Sequence, residues 1–164
     1  MKKAIVILIS ILLLVLDNSF FPFLSIKGVY PSALFVFAIA YSIINGKEVG
    51  VFIGVVSGVL QDIYFFNGFG VNCLINMLLC FSAGVIGESI WRNKKLVPVI
   101  SMFFASILKA VSILVILYIL GVKIHLIDNI YTAIYNSALM FLFYKLIYNI
   151  CNKDFNLKKR NFRW

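Results

Sequence analysis

Basic residues and hydroxyls aside, six carboxylates, one imidazole and three thiols are all that this chain offers for acid–base, nucleophilic or metal chemistry. Asp17, Asp62 and Asp128 are the aspartates nearest to apolar stretches, and none stands in an Asn-Arg-x-x-Asp or Asp-x-x-x-Asp setting. The convergent acid and base that an intramembrane hydrolase or lipid transferase needs are therefore missing. His125 is alone and cannot build a metal site unaided. Cys73, Cys80 and Cys151 have no C-x-x-C spacing and read as small buried hydrophobes rather than as disulfide partners or ligands. No H-E-x-x-H, Walker or glycine-rich phosphate sequence is present. The expectation is a protein without catalysis, metal or cofactor.

The informative polar residues lie inside apolar stretches. Gly46, Gly50, Gly54, Gly58 and Asp62 follow one another at intervals of four, a spacing that lines them along one ridge of a helix. Glycines in such a row let a second backbone approach closely, so Asp62 is expected to point at protein rather than lipid. Asn72, Asn76, Cys80, Gly84 and Glu88 repeat the spacing on the next stretch, and both ridges are expected to face neighbouring helices. Glu88 precedes Arg92 by one turn, which suggests an interfacial pair. Counted from the cytoplasmic helix ends at 1.5 Å per residue, Asp62 and Lys109 both lie roughly 18–20 Å deep, with Asn136, Asn76 and Asp17 at similar or slightly shallower depths in the outer half. An unpaired charge there costs at least ~2.5 kcal/mol. The expectation is an Asp62–Lys109 ion pair, or a polar cluster shared with Asn136, serving as a structural clasp or as a transport or proton-relay site.

The elements that must carry these residues are legible from composition. Of 164 residues, 63% are hydrophobic and 13% charged, too few charges for an ordinary soluble domain. A ~30 Å hydrocarbon core needs about 20 apolar residues per helix, which gives six stretches, at 4–21, 31–44, 49–66, 71–90, 97–120 and 127–150. The fold class is an all-α polytopic membrane protein, with a six-helix domain over 1–152 and a basic, aromatic tail over 153–164. Met1, Lys2 and Lys3 before an apolar run imitate a signal peptide, but Asp17-Asn18-Ser19-Phe20-Phe21-Pro22 offers no small-x-small site, so this segment reads as a retained first helix.

The net charge of +9 lies between and after the apolar runs rather than on a patterned face, so it marks topology, not nucleic acid. Lys2, Lys3, Lys47, Arg92, Lys94, Lys95, Lys153, Lys158, Lys159, Arg160 and Arg163 share one side of the six-helix layout; Lys27 and Lys123 share the other. The positive-inside rule puts both termini in the cytoplasm. The tail suits an anionic lipid surface or a docking partner. Partner surfaces are expected at the apolar outer loop with Phe21 and Phe23, at the 65–70 turn, and at Trp91 in the 91–95 loop.

The stretch from Gly28-Val29-Tyr30-Pro31 through Gly50-Val51-Phe52-Ile53-Gly54-Val55-Val56-Ser57-Gly58, Leu60-Gln61-Asp62, Gly68-Phe69-Gly70-Val71-Asn72 and Ala83-Gly84-Val85-Ile86-Gly87, with Asn136, resembles the bacterial rod shape-determining protein MreD family. That family usually has Pro-Asp where this chain has Pro31-Ser32. The resemblance implies a non-enzymatic component of the cell-elongation machinery in the bacterial inner membrane. Implied partners are an MreC-like bitopic protein, an MreB-like actin filament and peptidoglycan synthases. The implied fold is similar to the six-helix substrate-binding subunits of energy-coupling-factor vitamin transporters. A solute-binding transporter subunit is accordingly the alternative, although the Ala-x-x-x-Ala docking face of such proteins has no counterpart in a first helix with one alanine.

Overall fold

The computed structural model describes residues 3–25, 30–64, 70–89, 96–119 and 127–161, with side chains described up to 116 and from 130 to 151 in the last two helices. Six α-helices follow in order: α1 (Lys3–Ser19), α2 (Ala33–Asn45), α3 (Lys47–Tyr64), α4 (Val71–Ser89), α5 (Leu96–Ile119) and α6 (Ile127–Asn161). A single 3-10 turn (Phe21–Leu24) follows α1. The boundaries lie close to the sequence expectation except at the last helix, which runs on to Asn161 instead of ending near 150. Residues 151–161 contain neither glycine nor proline, so nothing in the chain stops the helix where the apolar span ends. The boundary expected between bundle and tail thus falls inside one continuous helix.

A helix that is apolar on every side has to be surrounded. The sequence of α2, Ala-Leu-Phe-Val-Phe-Ala-Ile-Ala-Tyr-Ser-Ile-Ile-Asn, has no polar face, and Leu34 through Ile44 are all buried. This 13-residue helix is the centre of the molecule and touches α1, α3, α4, α5 and α6. Its end is abrupt. Gly46 alone connects it to α3, and its φ of +92° is a conformation open to glycine but strained for other residues. The Gly46 N–H still reaches Ser42 O at 2.8 Å, and the Gly46 carbonyl accepts from Gly50 N at 2.9 Å, so the corner leaves few orphan groups.

The outside of the bundle inverts the pattern of a water-soluble protein. Leu96, Ile100, Phe104, Leu108, Val111 and Val115 form an exposed apolar stripe along α5, while Asp17, Gln61, Asp62, Asn76, Ser106 and Asn136 are buried. Val71–Ser89, Leu96–Ile116 and Ile130–Cys151 are long and apolar enough to cross a bilayer. Apolar residues facing outward along such helices are solvated by lipid tails.

α3 and α4 pack more closely than any other pair, and the glycine spacing is the reason. A methyl group on Gly50 would come within 2.5 Å of Cys80 O, one on Gly54 within 2.7 Å of Asn76 O, and one on Gly58 would meet the Cys73 Cα. At the other end, a methyl on Gly84 would lie 2.5 Å from the Lys47 Cα. The two ridges face each other, running antiparallel, with their backbones in contact. Gly87, beside this ridge, gives α2 the same access: a methyl there would meet the Ile43 carbonyl.

Candidate functional site

Three acidic residues of the bundle, Asp17, Asp62 and Glu88, share one task. Asp17, near the end of α1, accepts hydrogen bonds from Ala33 N (2.7 Å), Leu34 N (3.1 Å) and Ser32 Oγ (2.9 Å) at the start of α2. Asp62, near the end of α3, accepts from Gly70 N (3.0 Å), Asn72 N (2.9 Å) and Cys73 N (2.9 Å) at the start of α4. Glu88, near the end of α4, accepts from Lys47 N (3.0 Å) at the start of α3, with the Lys47 ammonium 3.8 Å away. Each carboxylate therefore sits on the helix N-terminus of a neighbour, where unpaired N–H groups and the macrodipole both favour negative charge. For the buried Asp17 and Asp62 this satisfies donors and anion together, away from solvent, whereas Glu88 does so at an exposed end of the bundle.

Between these caps lies a layer of hydrogen-bonded side chains centred on Ser32 and Gln61. Ser32 N donates to Asn136 Oδ1 of α6 (3.0 Å), and Asn136 Nδ2 donates to Ser106 Oγ of α5 (3.1 Å). Ser32 Oγ gives its proton to Asp17, accepts from Gln61 Nε2 (3.2 Å), and caps α2 by accepting from Phe35 N (3.3 Å). Gln61 Oε1 in turn accepts from Lys109 Nζ (2.6 Å) and Asn76 Nδ2 (2.9 Å). The Lys109 ammonium also lies over the Phe35 ring, 4.3 Å from its centroid. Asn76 Nδ2 has Ser57 Oγ at 3.4 Å, and Asn76 Oδ1 is buried without a hydrogen-bond partner. All six helices contribute to this one connected layer.

An Asp62–Lys109 ion pair is not among the contacts of the described residues. Both side chains have other partners, because they leave their helices in different directions. Asp62 continues the glycine ridge and follows it onto α4, whereas Gln61, one residue and about 100° earlier on α3, turns towards Lys109. Asn76 and Asn136 both join the layer, Asn76 through Gln61 and Asn136 through Ser32. Glu88 engages Lys47; the expected partner Arg92, and Trp91 beside it, lie outside the described residues, as do the outer lysines Lys27 and Lys123. Of the outer aromatic residues, Phe23 is 87% exposed and Phe21 is half-buried.

Sequence reading missed Ser32, Gln61 and Ser106. The signal was weak but present: Ser32 follows Pro31 directly before an apolar run, the position of a helix N-cap, and Gln61 adjoins Asp62 at the depth of Lys109. Among the described residues no three His, Cys, Asp or Glu side chains gather as a metal site would require. Apart from Asn76 Oδ1, the polar groups of the layer are hydrogen-bonded to one another or to helix ends, an arrangement that gives no support to a solute-binding subunit.

An apolar surface around an interior of hydrogen-bonded polar side chains is the pattern of a helical membrane protein. The model of the rod shape-determining protein MreD family matches residues 1–154, and the chain belongs to that family. Its role is therefore in bacterial cell-shape determination, at the inner membrane. Comparison with curated proteins and with solved structures returns no match.

Proposed function

We propose that this protein is a non-catalytic, multi-pass scaffold of the cell-elongation machinery, acting by holding partner membrane proteins in place. The observation that carries the reading is the match of the MreD family over residues 1–154. It is supported by a polar interior whose donors and acceptors are directed at helix ends and at each other, as rigidity requires and as turnover of a substrate does not. All six helices would cross the membrane, with α2 shielded from lipid by its neighbours, and the basic residues would leave both termini in the cytoplasm. The partners would be an MreC-like bitopic protein, an MreB-like filament and peptidoglycan synthases, and the helix arrangement would be similar to that of energy-coupling-factor binding subunits.

Depletion tests the role directly. Cells losing the protein are expected to round up, to regain rod shape on re-expression, and to yield the MreC-like protein on co-purification in mild detergent. Normal rods after complete depletion would overturn the proposal.

A further inference from the structure

α1 and α6 both pack on α2, and among the described residues their backbones do not approach each other closely. Their separation leaves a groove of about 250 Å³, floored by Ala33, Val36 and Phe37 of α2. Ile9, Leu13 and Leu16 form one wall and Leu139, Phe143, Leu146 and Ile150 the other, so the lining is hydrocarbon along its whole length. It runs from Phe21, at the end of the bundle where α1 finishes, to Cys151, at the end where α1 begins. Such a groove matches a flexible chain of methylenes lying along the helix axes. A complete transmembrane helix, with a volume on the order of 2,500 Å³, would rest across it rather than fill it.

The end of the groove is marked by charge. Beyond Cys151, α6 continues without a break through Lys153, Asp154, Lys158, Lys159 and Arg160, a net excess of three positive charges within three turns of helix. Basic residues directly beyond a membrane helix attract anionic headgroups. We infer that this groove holds one anionic phospholipid, an acyl chain between α1 and α6 and its headgroup at the basic continuation of α6. This rests on the membrane reading above but not on any role in cell shape.

The test uses the full chain purified in mild detergent and exchanged into nanodiscs of phosphatidylcholine with or without phosphatidylglycerol. Native mass spectrometry is expected to find one phosphatidylglycerol retained per chain under conditions that strip bulk lipid. Leu139→Trp or Leu146→Trp, each filling the groove, should lower that retention roughly tenfold, whereas Ile134→Trp on an exposed part of α6 should not. Two groove variants are included so that one misfolded protein does not decide the result, and a single symmetrical gel-filtration peak qualifies each. Replacing Lys158, Lys159 and Arg160 together by Gln should abolish the preference for phosphatidylglycerol over phosphatidylcholine. Equal retention by wild type and both folded groove variants would overturn the inference. So would disulfide capture through Cys151 of a second copy or of a partner's helix in place of lipid. Shape complementation by a groove variant that has lost its lipid would leave the family role standing while separating lipid from it.

Discussion

Asp17 and Ser32 divide between two helices a task that a single aspartate at the start of α2 would perform. Ser32 Oγ caps α2 in the usual manner while Asp17, from α1, takes the two preceding N–H groups and the serine proton. Hydrogen bonds to a charged group are each worth about 1.5–3 kcal/mol, and Asp17→Ala is expected to destabilise the bundle by about 3 kcal/mol in thermal unfolding. Ser32→Asp alone would set two carboxylates within hydrogen-bond range and should be similarly damaging, but combining it with Asp17→Ser should restore most of the loss. Failure of the double variant to improve on either single one would mean that the cap must come from α1. A second asymmetry concerns Gln61. Gln61→Leu strands the Lys109 ammonium and leaves the Asn76 amide only its longer bond to Ser57, and should cost about 3 kcal/mol, whereas Lys109→Met leaves Gln61 bonded to Asn76 and should cost under about 1 kcal/mol. The double variant should therefore be more stable than Gln61→Leu alone.

The elements were legible where they depend on spacing and hidden where they depend on azimuth. Glycines four apart in α3 and small or polar residues four apart in α4 have to lie on ridges, and ridges of that kind bring backbones together whatever the rest of the fold does. Depth was also readable, because a helix rises by a fixed amount per residue. Direction was not. Gln61 and Asp62 share a depth, and which of the two turns towards Lys109 depends on how α3 is rotated by its contact with α4. The capping of α2 by Asp17 was hidden for a related reason, since it arises from two helices meeting and leaves no trace in either one alone. The ridge itself is testable. Gly54→Ala forces the Asn76 and Met77 backbone outward from 2.7 Å, and overpacking of this kind typically costs about 1–3 kcal/mol. Leu108→Ala, on the exposed stripe, should leave the unfolding temperature in detergent nearly unchanged, and equal losses at the two positions would argue against close α3–α4 packing in the membrane.

For the whole molecule, charge asymmetry and fold lead to one expected topology. In the proposed six-crossing layout eleven basic residues fall on one side and two on the other, which predicts that both ends of the chain lie in the cytoplasm. A reporter active only in the cytoplasm, fused after Trp164, is expected to be active, and one active only outside the membrane is expected to be silent. Reversal of that pattern would mean either an inverted orientation of the same six helices or an odd number of crossings. The central position of α2 explains why a 13-residue helix can be tolerated in such a protein: it is covered by five others and need not match the bilayer by itself.

The uninterrupted course of α6 has a mechanical consequence. At 35 residues it is a rod about 50 Å long, gripped over its first two thirds by α2 and α5 and free of glycine or proline hinges beyond. A change in tilt of about ten degrees around its midpoint would swing the distal end sideways by about 5 Å, so small rearrangements among the apolar helices would be felt, enlarged, by whatever is attached at that end.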